Sequence, residues 1–70
     1  MKLSARNLLR GEVVGIKKGV TTAHVKIEIG RGVIITSSIT MEAVRELKLK
    51  VGDKAAAIVK ASDVMIGLDD

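Results

Sequence analysis

Seventy residues make one domain and no more, and a chain this short buries only about 60% of the surface its unfolded form exposes, so its own core is marginal. The absence of Cys excludes disulfides and thiolate metal sites, and one His is too few for a His-rich metal centre. A formal charge of +4 with no run of five like charges points to an anionic partner without supplying a basic arm.

Aromatic residues and Pro are absent while 47% of the chain is apolar, so Val, Ile, Leu and Ala must build the core. β-Branched aliphatics favour strands. No apolar stretch approaches the roughly 20 residues of a membrane span. The opening Met1-Lys2-Leu3-Ser4 lacks the apolar core of a signal peptide. The expectation is a soluble, cytoplasmic single domain over residues 1–70 that gains core by self-association.

The first element runs from Asn7 to Lys17. It carries Leu8, Leu9, Val13, Val14 and Ile16 with Gly11 and Gly15 interspersed. This reads as a strand with bends, since Gly inside a strand marks a bulge or a close backbone approach. Lys17-Lys18-Gly19 is a turn. Ala23, Val25, Ile27 and Ile29 then alternate with Thr22, His24, Lys26 and Glu28, the pattern of a half-buried strand. Gly30-Arg31-Gly32 separates it from Val33–Ile39, and the two runs make a hairpin. The second run is apolar on both faces at its start, which implies cover on both sides.

Thr40 is the N-cap of a two-turn helix over Met41–Leu47, with Glu42 suited to the positive end of its dipole. Ala43, Val44 and Leu47 fall on one face and should pack on the sheet. A turn follows over Leu49–Lys54. Ala55–Val59 reads as a strand buried on both sides, a helix being the rival reading because of the alanines. Lys60–Asp63 is a connection and Val64–Leu68 a last strand. No internal repeat is present. Three strands, a helix and two strands give an all-β fold, a five-stranded antiparallel OB-like barrel with one short helix between strands 3 and 4. An SH3-like barrel is the alternative.

Catalysis finds no support. His24 lies mid-strand on the polar face and reads as a surface or interface residue. Glu12, Glu28, Glu42, Glu46, Asp53, Asp63, Asp69 and Asp70 are scattered, so neither a nucleophile with its base nor a carboxylate pair can be read from the chain. Binding of single-stranded nucleic acid is the alternative for a small basic barrel. It normally uses aromatic stacking worth about 1–3 kcal/mol per base, which this chain lacks.

A small tetrahedral dianion needs less: hydrogen-bond donors, hydroxyls and one or two cations. Two short donor clusters meet that need. Ser4-Ala5-Arg6-Asn7 offers a hydroxyl, a guanidinium and amides before the first strand. Lys60-Ala61-Ser62 offers an ammonium, amides and a hydroxyl between the last two strands. Composition alone also allows an ordinary terminus and an ordinary turn.

At these clusters the sequence resembles the molbindin family, the Mop-type molybdate-binding domains. Ser4-Ala5-Arg6-Asn7 with Leu8, Gly11 and Val13 matches the family's opening signature. Ile39-Thr40 matches the start of its short helix. Leu47, Leu49 and Gly52 follow, and Lys60, Ala61, Ser62 and Val64 close the pattern. The match spans nearly the whole chain. The resemblance implies a non-catalytic barrel working as a homohexamer, a trimer of dimers, with molybdate between subunits.

By the same resemblance Ser4 supplies a hydroxyl, Ala5 an amide and Arg6 charge and donors. Lys60 supplies charge, and Ala61 and Ser62 complete the second segment with amide and hydroxyl. A further class of site on symmetry axes makes Gly19, Val20, Thr21, Thr22 and His24 secondary candidates, beside Lys18. The implied ligand is molybdate, with tungstate able to substitute, and no metal ion is held by side chains. The implied role is intracellular molybdenum storage or homeostasis. Self-association is the implied partnership, with neither nucleic acid nor membrane. A DNA-binding domain, which some members carry, is not among these residues.

Overall fold

The structure, a computed structural model, describes residues 4–69; Met1–Leu3 of the opening segment and Asp70 among the carboxylates lie outside the described residues. The elements in chain order are β1 (Asn7–Lys18), β2 (Thr22–Gly30), β3 (Val33–Thr40), α1 (Met41–Leu47) and β4 (Lys54–Val59), then a 3₁₀ turn over Ala61–Asp63. All three strand pairings are antiparallel, and the sheet order is β3-β2-β1-β4.

β2 behaves as its alternation dictates. Ala23, Val25 and Ile27 are buried, while Thr22, His24 and Lys26 are exposed. Val13 of β1 is fully buried and joins Val25, Ile27 and Ala57 in the main core. A second small cluster joins Ala23 to Met41 and Val44 of α1. Both expected uses of Gly in β1 occur. The β1–β2 register shifts between Val13 and Gly15, a bulge, and at Gly11 an added Cβ would overlap the Glu28 carbonyl oxygen. That close crossing of β1 over β2 curls the sheet.

Thr40 caps α1 as expected, its hydroxyl oxygen accepting from the Ala43 amide at 3.0 Å. The buried face of α1 differs from the expected one. Met41 and Val44 are buried, Ala43 is half-buried and Leu47 is exposed. The Met41 amide donates to the Thr21 carbonyl at 2.9 Å, which ties the start of the helix to the β1–β2 turn. With its start tied there, the first turn of α1 packs on the sheet and Leu47, at its far end, does not.

Three further expectations are corrected. Val33 and Ile34 at the start of the edge strand β3 are exposed, because among the described residues nothing is laid across its outer side. Ile58 of β4 is exposed as well, so β4 is covered on one face rather than two. The sheet has four strands, not five. Val64–Leu68 enters no ladder, although the rest of the OB-like order is in place. Apart from Gly67 that segment is apolar at every position, so it has no polar face to set a register, and among the described residues it is packed against no layer.

Candidate functional site

The register of β1 on β4 decides where the donor clusters lie. Asn7 is opposite Val59, and the Asn7 side-chain amide donates to the Val59 carbonyl at 3.0 Å across 52 residues of sequence. Ser4–Arg6 run into β1 at that end, and Lys60–Ser62 leave β4 at the same end. Two segments far apart in sequence therefore meet at one corner of one chain.

Lys60 is extended, with φ −66° and ψ 142°, and the Asp63 amide closes the turn on the Lys60 carbonyl at 2.9 Å. Among the described residues no carbonyl accepts from the Ala61 or Ser62 amide, and neither Arg6 nor Lys60 makes an ion pair. The Ser4 and Ser62 hydroxyls are likewise unengaged among those residues. Ala5 is half-buried, and Ser4, Arg6, Lys60, Ala61 and Ser62 are exposed.

The corner thus collects two cations, two hydroxyls and spare amides. The nearest carboxylate in sequence is Asp63, in the turn itself. This is a donor set for an acceptor-only anion. It is also open to water, where charge–charge attraction is weak.

The secondary candidates are partly gathered. A small pocket of about 160 Å³ is lined by Lys17, Lys18, Gly19, Thr22 and His24. The Gly19 amide donates to the Thr22 carbonyl at 2.8 Å and closes the turn. Val20 and Thr21 project at its exposed tip and do not line the pocket. Lys17 does line it, directly opposite His24 in the ladder. Sequence reasoning treated Lys17 as the end of the first strand and the start of the turn, not as a site residue; counting back across the hairpin from His24 would have found it.

Sequence reasoning also missed a larger cleft of about 660 Å³ lined by Arg10, Gly11 and Glu12 of β1, Glu28, Ile29 and Gly30 of β2, and Lys54, Ala55 and Ala56 of β4. Among the described residues no group of three or more His, Asp or Glu side chains is placed to hold a metal ion. No helix there is long and apolar enough to cross a membrane.

Comparison with known proteins adds the family. A family model described as the TOBE domain matches residues 3–66. Molybdenum-pterin-binding protein 2 of Clostridium pasteurianum is 54% identical over 66 residues, covering 94% of this chain and 97% of its own. A probable molybdenum-pterin-binding protein of Haemophilus influenzae is 49% identical over 69 residues, 99% of this chain and 100% of its own.

Among solved structures, MopII from Clostridium pasteurianum superposes with a TM-score of 0.89 at 52% identity, covering 96% of this chain and 100% of its own. The cytoplasmic molybdate-binding protein ModG, solved with molybdate bound, gives 0.93 at 46% identity; the match covers 99% of this chain and 49% of that one. Fold, signature residues and near-complete coverage agree, and the chain belongs to the TOBE-domain proteins of the molbindin, Mop-type family.

Proposed function

We propose that this protein binds molybdate, without catalysis, and holds it between copies of the chain. The observation that carries this reading is the corner at which the β1–β4 register unites Ser4–Arg6 with Lys60–Ser62. Relatives named for molybdenum-pterin and molybdate binding supply the ligand class.

The chemistry follows from the donor set. Molybdate at neutral pH is fully deprotonated and only accepts hydrogen bonds. Arg6 offers a bidentate fork and Lys60 a point charge, while the Ser4 and Ser62 hydroxyls and the Ala5, Ala61 and Ser62 amides complete the shell. Hydrogen phosphate must place a proton against one of these donors and is disfavoured. Sulfate is acceptor-only but smaller, so the size of the closed cage rejects it. Tungstate is nearly the same size as molybdate and competes.

A second copy laid over the open corner excludes water and strengthens each contact. This is the physical reason to place the site at a subunit boundary in a homohexamer. The turn pocket with Gly19, Thr22 and His24 is a secondary anion site of the same assembly. Such an assembly suits storage and buffering of molybdenum in the cytoplasm, a role that needs neither nucleic acid nor membrane.

Calorimetric titration of the purified protein with molybdate, with sulfate as control, tests the reading. Saturable binding of molybdate with little response to sulfate is expected, and an equal response to both overturns it. Arg6→Ala should weaken molybdate binding at least tenfold, about the loss of one charge-assisted contact. An affinity within twofold of the unaltered protein would remove the Ser4–Arg6 segment from the site.

A further inference from the structure

β1 opens with a polar residue where its own pattern calls for an apolar one. On the inward side of the strand Asn7 and Leu9 are half-buried and Val13 is fully buried, with Leu9 packed against the core. Their ladder partners Val59 and Ala57 are half-buried and buried. Asn is also depleted in strands. Neither burial nor propensity accounts for Asn7 at this position.

What Asn7 does make is a cross-strand bond. Its side-chain Nδ2 donates to the Val59 carbonyl at 3.0 Å. Asn7 and Val59 are the last pair of the β1–β4 ladder at this end. Arg6 precedes Asn7 and Lys60 follows Val59, so each cation of the corner starts one peptide, about 3.8 Å, from the bonded pair. Beyond that pair the segments Ser4–Arg6 and Lys60–Ser62 share no hydrogen bond among the described residues.

We infer, on the proposed reading of this corner as a molybdate site, that Asn7 is its positioning residue. Its Nδ2 is committed to Val59, so it acts on the anion through Arg6 and Lys60. The bond fixes the spacing of those two cations before the anion arrives. Chain ends at the last pair of a ladder fray, and segments that must be ordered on binding lose affinity. A side-chain bond across the last pair removes part of that cost. The carbonyl accepts only from the amide nitrogen, so the direction of the Asn7 side chain is fixed as well.

A role in stability alone makes a different forecast. One neutral hydrogen bond contributes little net stability, and apolar replacement at such a site is close to neutral. Val59 is only half-buried, so water can take up its carbonyl. Asn7→Leu continues the inward apolar pattern of Leu9 and removes the donor. Asn7→Thr suits a strand, and its hydroxyl stops one bond short of the Nδ2 position.

Both full-length variants are titrated calorimetrically with molybdate beside the unaltered protein, and all three are unfolded in urea. The urea midpoint of Asn7→Leu should equal or exceed that of the unaltered protein. Molybdate affinity should nevertheless be weaker in both variants, by about fivefold or more. Arg6→Ala should cost less affinity in either variant background than in the unaltered protein, because a guanidinium no longer held contributes less. Where one variant fails to fold, the other carries the affinity comparison.

A purely structural Asn7 would lower the midpoint and leave the affinity of the folded protein, and the cost of Arg6→Ala, unchanged. A smaller loss of affinity in a folded variant, or an equal cost of Arg6→Ala in both backgrounds, overturns the positioning role. The unaltered protein separates this role from the proposed function. If it binds molybdate and the variants bind equally well, only the role of Asn7 falls. If it binds no molybdate, the proposed function falls, and the role of Asn7 with it.

Discussion

Gly11 and Val13 lie two residues apart in β1 and set the sheet's shape by opposite means. Gly11 provides the absence of a side chain, because any Cβ would meet the backbone of Glu28. Val13 provides the most deeply buried side chain of the core. Its amide donates to the Asp53 carbonyl at 2.9 Å, and its carbonyl accepts from the Gly52 amide at 2.8 Å, so the turn before β4 docks on the same residue. Gly11→Ala should destabilise the fold by about 1–3 kcal/mol, since the obstacle is backbone and cannot swing aside. Val13→Ala should cost about 2 kcal/mol from the lost methyl groups and the cavity they leave. Urea unfolding curves check both.

Asp53 is a pH-sensitive residue of that turn. Its carboxylate accepts from the Lys50 amide at 3.0 Å and lies 3.3 Å from the Lys50 ammonium. The backbone hydrogen bond from Lys50 is the main reason its pKa lies below the ordinary carboxylate value. A lowered folded-state pKa means the contribution is complete above the unfolded value near 4 and is lost as pH falls through the lower folded one. Asp53→Asn should therefore melt below the parent by a constant margin above pH 5, and that margin should shrink below pH 4. Thermal unfolding across pH 2–7 measures it; a margin that is flat throughout would remove the carboxylate from this role.

Local sequence is most decisive for the element α1. Seven residues make a helix too short to persist alone, so its cap and its packing must both hold it. Thr40→Ala removes the acceptor for the Ala43 amide and should cost about 1 kcal/mol. The other end is less favourable. Lys48 takes a left-handed conformation at φ 52°, where Gly or Asn is the usual residue. Lys48→Gly should be neutral to stabilising, by up to about 1 kcal/mol, in the same unfolding assay. The edge strands β3 and β4 show where periodicity runs out. A run such as Val33-Ile34-Ile35 reads the same whether both faces are covered or one, and here the outer face is open.

For the whole molecule, only seven apolar residues are buried among those described, while twelve large apolar residues are exposed. A core that small is marginal for an isolated chain. Assembly and ligand should therefore appear as stability. A saturating anion binding only the folded assembly stabilises it by about 2.7 kcal/mol at a hundredfold excess over the dissociation constant. Molybdate should accordingly raise the melting temperature and sulfate should not, and the melting temperature of the free protein should rise with protein concentration. Independence from both would argue against an assembly that holds the anion.

Much of this protein was legible in its residues. The alternation in β2, the glycines in β1, the Thr40 cap and the two donor clusters are local patterns whose causes are steric or hydrogen-bonding, and local causes can be read from neighbours in sequence. The family signature adds the ligand class on the same terms. Three features depended on tertiary structure. The β1–β4 register brought Ser4–Arg6 to Lys60–Ser62, because pairing across some fifty residues is set by which faces bury together rather than by either segment. The β1–β2 turn drew Lys17 toward His24 and left Val20 and Thr21 outside. The tail Val64–Leu68, written in sequence as a strand, stands unpaired among the described residues, because a strand exists only where a sheet edge receives it.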